Sequence, residues 1–266
     1  MLKDTKYKQN QTILKVFGCG DNKKIKVITM ALLRNKGVED DTEVFVERGS
    51  VNDEKTDESI SRTRSAIFEL AFCNPWTYFF TATLDPAKFD RTDLKKFIKA
   101  LTQWIRNYNK KYGLQIKYLL IPELHSDGKS WHIHGFIMGL PVEHLHQFKI
   151  GDKMGAKLAQ KVANGDLVYN WVAYMDKFGF CDLEPIRSSE AVSKYVTKYI
   201  SKNLRNSVKE LNAHMYYCSL GLKRAETIKV GFMSANITPT FTSDYCSVSW
   251  LDYSDELLKY LADSII

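Results

Sequence analysis

Two histidines and a glutamate stand at positions from which they could share one metal ion. His132 and His134 flank Ile133, and Glu123 precedes the first histidine by nine residues. In a β-strand, residues two apart project from the same face, roughly 6–7 Å apart along the chain. Both imidazoles could then reach one cation, and a carboxylate on a neighbouring strand would complete the ligand shell. The sequence therefore predicts a divalent metal centre whose remaining coordination positions are open to substrate oxygens.

The chemistry of these donors indicates which metal to expect. The set contains imidazole and carboxylate groups and no thiolate, which favours Mg²⁺ or Mn²⁺ in use, although Zn²⁺ can bind such ligands more tightly. His125 is a competing ligand, because it lies two residues after Glu123 and shares its face if the strand stays regular. A plainer interpretation also stands, since a histidine on a strand is often only a hydrogen-bonding residue. We expect His144 and His146 to be structural or exposed.

A pair of tyrosines further along the chain supplies candidate nucleophiles. Tyr195 and Tyr199 are four residues apart, and on a helix they would share a face. Lys198 and Lys202 each follow a tyrosine by three residues, where a cation could favour phenolate formation and balance charge on a phosphoryl group. The alternative is that both tyrosines pack in an apolar helix stripe that begins at Val192.

Three segments resemble, in the family's order, the motifs of HUH endonucleases, which initiate rolling-circle replication of plasmids, small DNA viruses and phages. Residues 79–84 (FFTATL) resemble the first motif, residues 123–134 the second with its upstream glutamate, and residues 192–198 the third, VxxYxxK. Residues 196–202 repeat the third motif, which is similar to phage initiators that use two tyrosines. Ala82 departs from the larger apolar residue usual in the first motif.

The resemblance implies a metal-dependent, sequence-specific endonuclease and strand transferase that acts on single-stranded DNA at a replication origin. A tyrosine would attack the phosphate, leaving a 5′-phosphotyrosine and a free 3′-OH that primes synthesis. The roles it implies are catalysis for Tyr195, Tyr199 and Lys198, and binding of Mg²⁺ or Mn²⁺ for His132, His134 and Glu123.

The charge balance favours a polyanionic partner. The chain has 38 lysines and arginines against 31 aspartates and glutamates, a net charge of +7 and a pI near 9.0, and phosphate contacts by such cations supply most non-specific affinity for DNA. Trp131 could stack a base or be buried. No GxxxxGK[ST] segment occurs, so a separate helicase is expected alongside a host polymerase. Further candidates for DNA contact are Lys202, Lys223, Arg224 and the basic face of a helix predicted at 92–112.

Cysteine usage and hydropathy indicate a compartment. The five cysteines are an odd number without a close pair, which is typical of a reducing environment. The chain has no apolar signal at its start and no apolar stretch of about 18 residues. We therefore expect a soluble cytoplasmic protein of a bacterial host cell. Other functions stay open: an HUH relaxase or transposase, a non-haem iron(II) oxygenase, and a DNA-binding module without chemistry.

Hydrophobic periodicity predicts alternating strands and helices. The Asp127-Gly128 pair predicts a hairpin that brings Glu123 beside the histidine-bearing strand. Predicted strands are 24–29, 42–46, 76–84, 116–121, 131–138, 168–177 and 227–232, and predicted helical segments are 66–71, 92–112, 143–163, 189–204 and 254–266.

This order of elements predicts an α+β fold, with helices packed on a central antiparallel sheet that has a ferredoxin-like core. We predict three parts. Residues 1–60 form an extension that leads into a polar linker at 49–63, residues 61–235 form the endonuclease domain, and residues 236–266 form a polar tail. The oligomeric state is left open.

Overall fold

A computed structural model describes residues 7–34, 53–188, 192, 195 and 214–266. The strands, in chain order, are β1 (Tyr7–Cys19), β2 (Asn22–Arg34), β3 (Tyr78–Ala82), β4 (Lys117–Leu124), β5 (Trp131–Met138), β6 (Leu145–Gln147), β7 (Tyr169–Trp171), β8 (Cys181–Pro185), β9 (Tyr217–Cys218), β10 (Glu226–Gly231), β11 (Phe241–Thr242) and β12 (Cys246–Asp252). The helices are α1 (Asp53–Phe72), α2 (Leu94–Tyr112), α3 (Ala156–Ala163), α4 (Val172–Lys177) and α5 (Asp255–Asp263).

The chain forms two compact units. The terminal unit comprises Phe72–Asn74, Lys223–Ile266 and the described residues before Ser50, and the central unit comprises Val51–Ala71 and Pro75–Leu222. This division differs from the three parts predicted from composition. The first strands and the C-terminal segment belong to the same unit.

The terminal unit is built on a five-stranded antiparallel sheet in the order β10-β1-β2-β12-β11. Strands β1 and β2 form a hairpin in which Cys19 pairs with Asn22, and the flanking strands come from the other end of the chain. Apolar residues of the sheet pack against α5; the buried members are Leu14, Ile25, Val27, Leu261 and Ile265. The predicted tail therefore contributes two strands and the predicted amphipathic helix.

The central unit holds a seven-stranded antiparallel sheet in the order β6-β7-β8-β3-β5-β4-β9. Within it, β5 lies between β3 and β4, which are joined through α2. This is the split βαβ arrangement of ferredoxin-like cores. The α+β fold with antiparallel sheets is confirmed, and it is unlike the jelly roll that an iron(II) oxygenase would use.

Helices pack on both faces of this sheet. On one face, α2 buries Phe97, Ile98, Leu101, Ile105 and Tyr108, at the helical spacing read from the sequence. Its start is capped by Asp93, whose side chain accepts from Lys96 N, and its end by Gly113 in a left-handed conformation. On the other face, apolar residues of α1 pack against β4 and β5; these are Ile67, Leu70, Leu119, Ile121 and Phe136.

Three predicted elements were wrong. The helix expected at 143–163 is a 3₁₀ turn, the short strand β6 and then α3, because Gly151 and Gly155 interrupt the helical pattern. The strand expected at 168–177 is strand only through β7, after which α4 begins. Part of the expected polar linker is helical, since α1 starts at Asp53.

Two predicted elements fall largely outside the described residues. The strand predicted at 42–46 lies there entirely. Of the helix predicted at 189–204, the structure describes only Val192 and Tyr195, and both are helical. None of the helices in the described ranges is long and apolar enough to cross a membrane.

Candidate active site

The register of β4, β5 and β3 brings the predicted ligands to one face of the central sheet. Glu123 is the cross-strand partner of His132, while Ile121 and Thr81 flank His134 on its two sides. Directly opposed residues in an antiparallel sheet project from the same face. The carboxylate and both imidazoles therefore share the face that α1 covers further along.

The turn between β4 and β5 fixes this register. Asp127 Oδ1 accepts hydrogen bonds from the backbone N–H groups of Lys129 and Ser130, both at 2.8 Å. The backbone N–H of His125 donates to the carbonyl of Ser130 at 2.8 Å. Gly128 adopts a φ of 69°, which few residues other than glycine tolerate. The Asp-Gly turn predicted from the sequence is thus the device that sets Glu123 opposite His132.

The imidazoles differ in their surroundings. His134 Nε2 lies 2.6 Å from Glu123 Oε2, on side chains that are 11% and 26% exposed. His132 Nε2 is buried and has no hydrogen-bond partner among the described residues. Burial, followed by the nearby His125, His134 and Arg91, lowers the pKa of His132 to about 4. His132 is therefore neutral at pH 7, in the form that ligates metals.

His125 faces His132 across the turn. The two rings are stacked, with centroids 4.8 Å apart and an interplanar angle of 12°. His125 is exposed, and its Nδ1 lies 3.7 Å from Asp127 Oδ2. The competing ligand predicted from the sequence thus lies at the rim of the cluster.

The donor chemistry of this face suits a divalent cation. Two imidazoles and one carboxylate lie together, and the buried Nε2 of His132 lacks an acceptor or donor in the described part of the chain. No three histidine, cysteine, aspartate or glutamate side chains of the described residues are already arranged as ligands around one point. The ligand roles of His132, His134 and Glu123, and the choice of Mg²⁺ or Mn²⁺, therefore stay predictions.

Tyr195 packs over the same face of the sheet. Its ring stacks on Phe79 at a centroid distance of 4.3 Å and meets Phe136 edge-on at 5.3 Å. Phe136 follows His134 by two residues on β5 and so shares its face. The ring is half-buried and its hydroxyl oxygen is enclosed in this conformation. Tyr195 thus occupies the apolar stripe foreseen from the sequence while lying on the ligand face.

Three predicted residues of the same segment lie outside the described residues: Lys198, Tyr199 and Lys202.

The remaining candidates for DNA contact do not lie with the ligands. Trp131 is half-buried and, by strand alternation, projects from the opposite face to His132. Lys223 and Arg224 are exposed in the terminal unit, where the backbone N–H of Lys223 donates to Asn74 Oδ1 at 2.9 Å. The basic side of α2 belongs to a helix that covers the opposite face of the sheet.

The two other histidines fill structural or surface positions, as expected. His144 Nδ1 lies 2.5 Å from the hydroxyl of Tyr108. His146 is exposed, with its Nε2 at 3.2 Å from Asp152 Oδ2.

Asp182 joins the cluster although no sequence pattern singles it out. It pairs with Thr81 on β3, which pairs in turn with His134 on β5, so the three stand in one row across the sheet. Burial, followed by the charge of Glu184, raises the pKa of Asp182 to about 6. Strongly shifted carboxylates are common at functional sites. Alternation in Cys181–Pro185 indicates which face Asp182 takes, but only the strand order places it near a histidine.

Arg91 is a second residue that sequence reasoning missed. It belongs to the connection between β3 and α2, and its backbone carbonyl accepts from the N–H of Trp131 at 2.9 Å. That bond sets Arg91 beside the residue that precedes His132. An arginine in a polar loop has no distinguishing pattern, so nothing in the sequence could have shown this position.

Comparison with known proteins places the site in a replication context. Residues 77–204, somewhat less than half of the chain, match the family model of the ORF2-type replication-associated protein. The matched segment includes Glu123, His132, His134 and Tyr195, and the similarity supports a Rep-type replication initiator. A role in replication initiation on DNA follows, with nuclease or strand-transferase activity in general. No curated protein and no solved structure matches the chain.

Proposed function

We propose that this chain nicks and rejoins single-stranded DNA at a replication origin, by a tyrosine nucleophile, to start rolling-circle replication. One observation carries the proposal: Glu123, His132 and His134 share one face of adjacent strands, and Tyr195 packs on that face. A pair of imidazoles, a carboxylate and a phenol together offer the groups that phosphodiester transfer to tyrosine needs. The similarity of residues 77–204 to replication-associated proteins supports the same activity.

The proposed reaction exchanges one phosphodiester for another. The phenolic oxygen forms a bond to phosphorus, the bond from phosphorus to the 3′-oxygen breaks, and the phenol loses its proton while the 3′-oxygen gains one. The products are a 5′-phosphotyrosine and a 3′-OH that primes a host polymerase. In a scheme with two nucleophiles, Tyr195 and Tyr199 take turns, the second attacking the regenerated junction. Tyr195 alone is the simpler scheme.

The residues of the face would divide the work. His132, His134 and Glu123 would hold a divalent cation, Mg²⁺ or Mn²⁺, which when bound would polarise the scissile phosphate and fix its orientation. Lys198 would favour the phenolate by its charge. The enclosed hydroxyl of Tyr195 has to be uncovered before DNA can reach it. A separate helicase would supply the single strand.

Nicking of single-stranded oligonucleotides tests the proposal. We expect cleavage in the presence of Mn²⁺, with the protein left attached to the 5′ end of the downstream fragment. Replacing Tyr195 and Tyr199 together by phenylalanine should abolish both products. Tyr260→Phe is the control, because this tyrosine is exposed on α5 in the other unit. Intact nicking and attachment in the double variant would contradict the proposal.

A relaxase or a transposase would form the same covalent product. Supplying an origin plasmid, a helicase and a polymerase separates these functions, because only an initiator should yield closed single-stranded circles of unit length.

A further inference from the structure

The connection between β3 and α2 holds Arg91 in a fixed place. Asp90 Oδ1 accepts from the backbone N–H and the hydroxyl of Thr92, at 2.8 and 2.7 Å. Asp93 caps α2 by accepting from Lys96 N at 2.9 Å. Together with the bond from Trp131 N to the carbonyl of Arg91, these contacts anchor the loop on both sides of Arg91. The guanidinium therefore starts from a backbone that is already ordered beside β5.

The Nε of the Arg91 guanidinium lacks an acceptor. This atom is buried, and it makes no hydrogen bond with any of the residues that the structure describes. The acidic neighbours Asp90 and Asp93 already accept hydrogen bonds from groups of the loop and the helix. A buried donor without a partner is costly, and more so when it carries charge. An anionic ligand at this point would remove that cost.

The surroundings of Arg91 favour an anion over a neutral ligand. The charge of Arg91 is close enough to disfavour protonation of His132, and the ring of His125 stacks on that of His132. Glu123, the carboxylate of the ligand face, is in contact with His134. Nitrogen-bearing side chains thus gather at the end of the site where Arg91 lies.

We propose that Arg91 binds a non-bridging oxygen of a DNA phosphate next to His132, an inference that rests on the proposed function. A guanidinium presents N–H groups in a planar fork that matches the oxygens of a phosphate. Held there, the phosphate would lie within reach of the ligand face while the guanidinium offsets the negative charge that grows during transfer. Arg91 is then a substrate-binding residue of the reaction, supplied by the loop and not by the sheet.

Binding of inorganic phosphate tests the contact directly. The full chain, without added metal, is titrated with phosphate at pH 7.5 while NMR follows the ring signals of His132, identified through His132→Gln. We expect saturable shifts in the unaltered protein. Arg91→Met should weaken phosphate binding about tenfold or more, and Arg91→Lys by less, because lysine keeps the charge and loses the fork.

Matched variants keep this experiment decisive. Arg106→Met is the control, since Arg106 is exposed on α2 and donates to Gln103 Oε1 at 3.0 Å; it should bind phosphate as the unaltered protein does. Thermal melting shows whether Arg91→Met is folded, and Arg91→Gln replaces it if it is not. Unchanged phosphate titrations in a folded Arg91→Met or Arg91→Gln protein overturn the inference.

A second arm asks whether DNA is the source of the phosphate. Short oligothymidylate should displace inorganic phosphate and shift the same His132 signals, and a failure to compete overturns the DNA contact. Neither arm involves metal or cleavage, so the two proposals can fail separately. Normal nicking by Arg91→Met contradicts this inference alone. Absence of nicking by a protein whose phosphate binding depends on Arg91 contradicts the proposed function alone.

Discussion

At the residue scale, the ligand face combines positions that follow from strand periodicity with positions that do not. The two-residue spacing of His132 and His134 and the Asp-Gly turn were sufficient to place both imidazoles and Glu123 on one face. Asp182 reaches the same row only because β8 pairs with β3, and Arg91 only because a loop bonds to β5. Both depend on contacts between segments far apart in sequence, which local patterns do not encode.

Removing the imidazoles should separate catalysis from binding. In His132→Ala with His134→Ala, we expect loss of nicking by at least about 100-fold, because the groups proposed to hold the cation are gone. Affinity for single-stranded DNA should fall little, since most of it comes from lysine and arginine contacts to phosphates. Cleavage assays and fluorescence anisotropy measure the two effects. His146→Ala, an exposed histidine bonded to Asp152, should change neither.

The raised pKa of Asp182 predicts how stability depends on pH. Its pKa is about 6 in the folded protein and about 4 in an unfolded chain. The folded state binds more protons between those values, so stability falls as the pH rises from about 4 to about 6 and stays lower above. Asp182→Asn removes this cost while keeping an acceptor toward Thr81.

Thermal melting at two pH values checks this expectation. Asp182→Asn should melt at a higher temperature than the unaltered protein at pH 7.5, and the difference should shrink at pH 4. A variant that melts lower at pH 7.5 would show that the carboxylate is stabilising in its ionised form. Asp166→Asn is a suitable comparison, since that aspartate is exposed in a loop of the same unit.

At the element scale, the sequence specified long periodic elements better than short ones. The helical spacing of apolar residues predicted α2 almost to its ends, and β5 was predicted at its observed bounds. The stretch from 143 to 177 was mispredicted because it alternates between a turn, short strands and short helices, each too brief to show a period. Tertiary pairing decides such segments, as β6 and β7 pair with each other.

Close packing of β4 and β5 depends on Gly135. A Cβ atom at this position would lie 2.0 Å from the carbonyl oxygen of Leu119, a backbone atom that has no freedom to yield. We expect Gly135→Ala to destabilise the protein by about 3 kcal/mol, since the strands must separate, and to weaken nicking by disturbing His134. Urea denaturation measures the loss. Gly155→Ala should be nearly neutral, because no atom lies within 4 Å of its added Cβ.

At the scale of the whole molecule, composition was a poor guide to the division of the chain. Residues 1–60 and 236–266 were predicted to be an extension and a tail because both are rich in polar residues. Antiparallel pairing of β1 with β10 and of β2 with β12 gathers them into one sheet with its own core. No local feature of either segment specifies a partner so distant along the chain.

The core of the terminal unit depends on α5. Leu261 is 1% exposed and packs with Leu14, Ile25 and Val27 from the other end of the chain. We expect Leu261→Ala to cost about 3 kcal/mol through lost burial and the cavity left behind. Amide hydrogen exchange of β1 and β2 should accelerate. Tyr260→Ala, an exposed neighbour on the same helix, should leave exchange unchanged, and acceleration in both variants would contradict this role for Leu261.

The sheet of the terminal unit also sets an order of events during translation. The β1–β2 hairpin leaves the ribosome first, yet the strands that flank it, β10 and β12, are among the last to be made. Until then both sides of the hairpin present unpaired backbone groups, which invite pairing between nascent chains. A transcript that ends before residue 246 would leave one side permanently open, so a premature stop should yield aggregates even where the nicking face is complete.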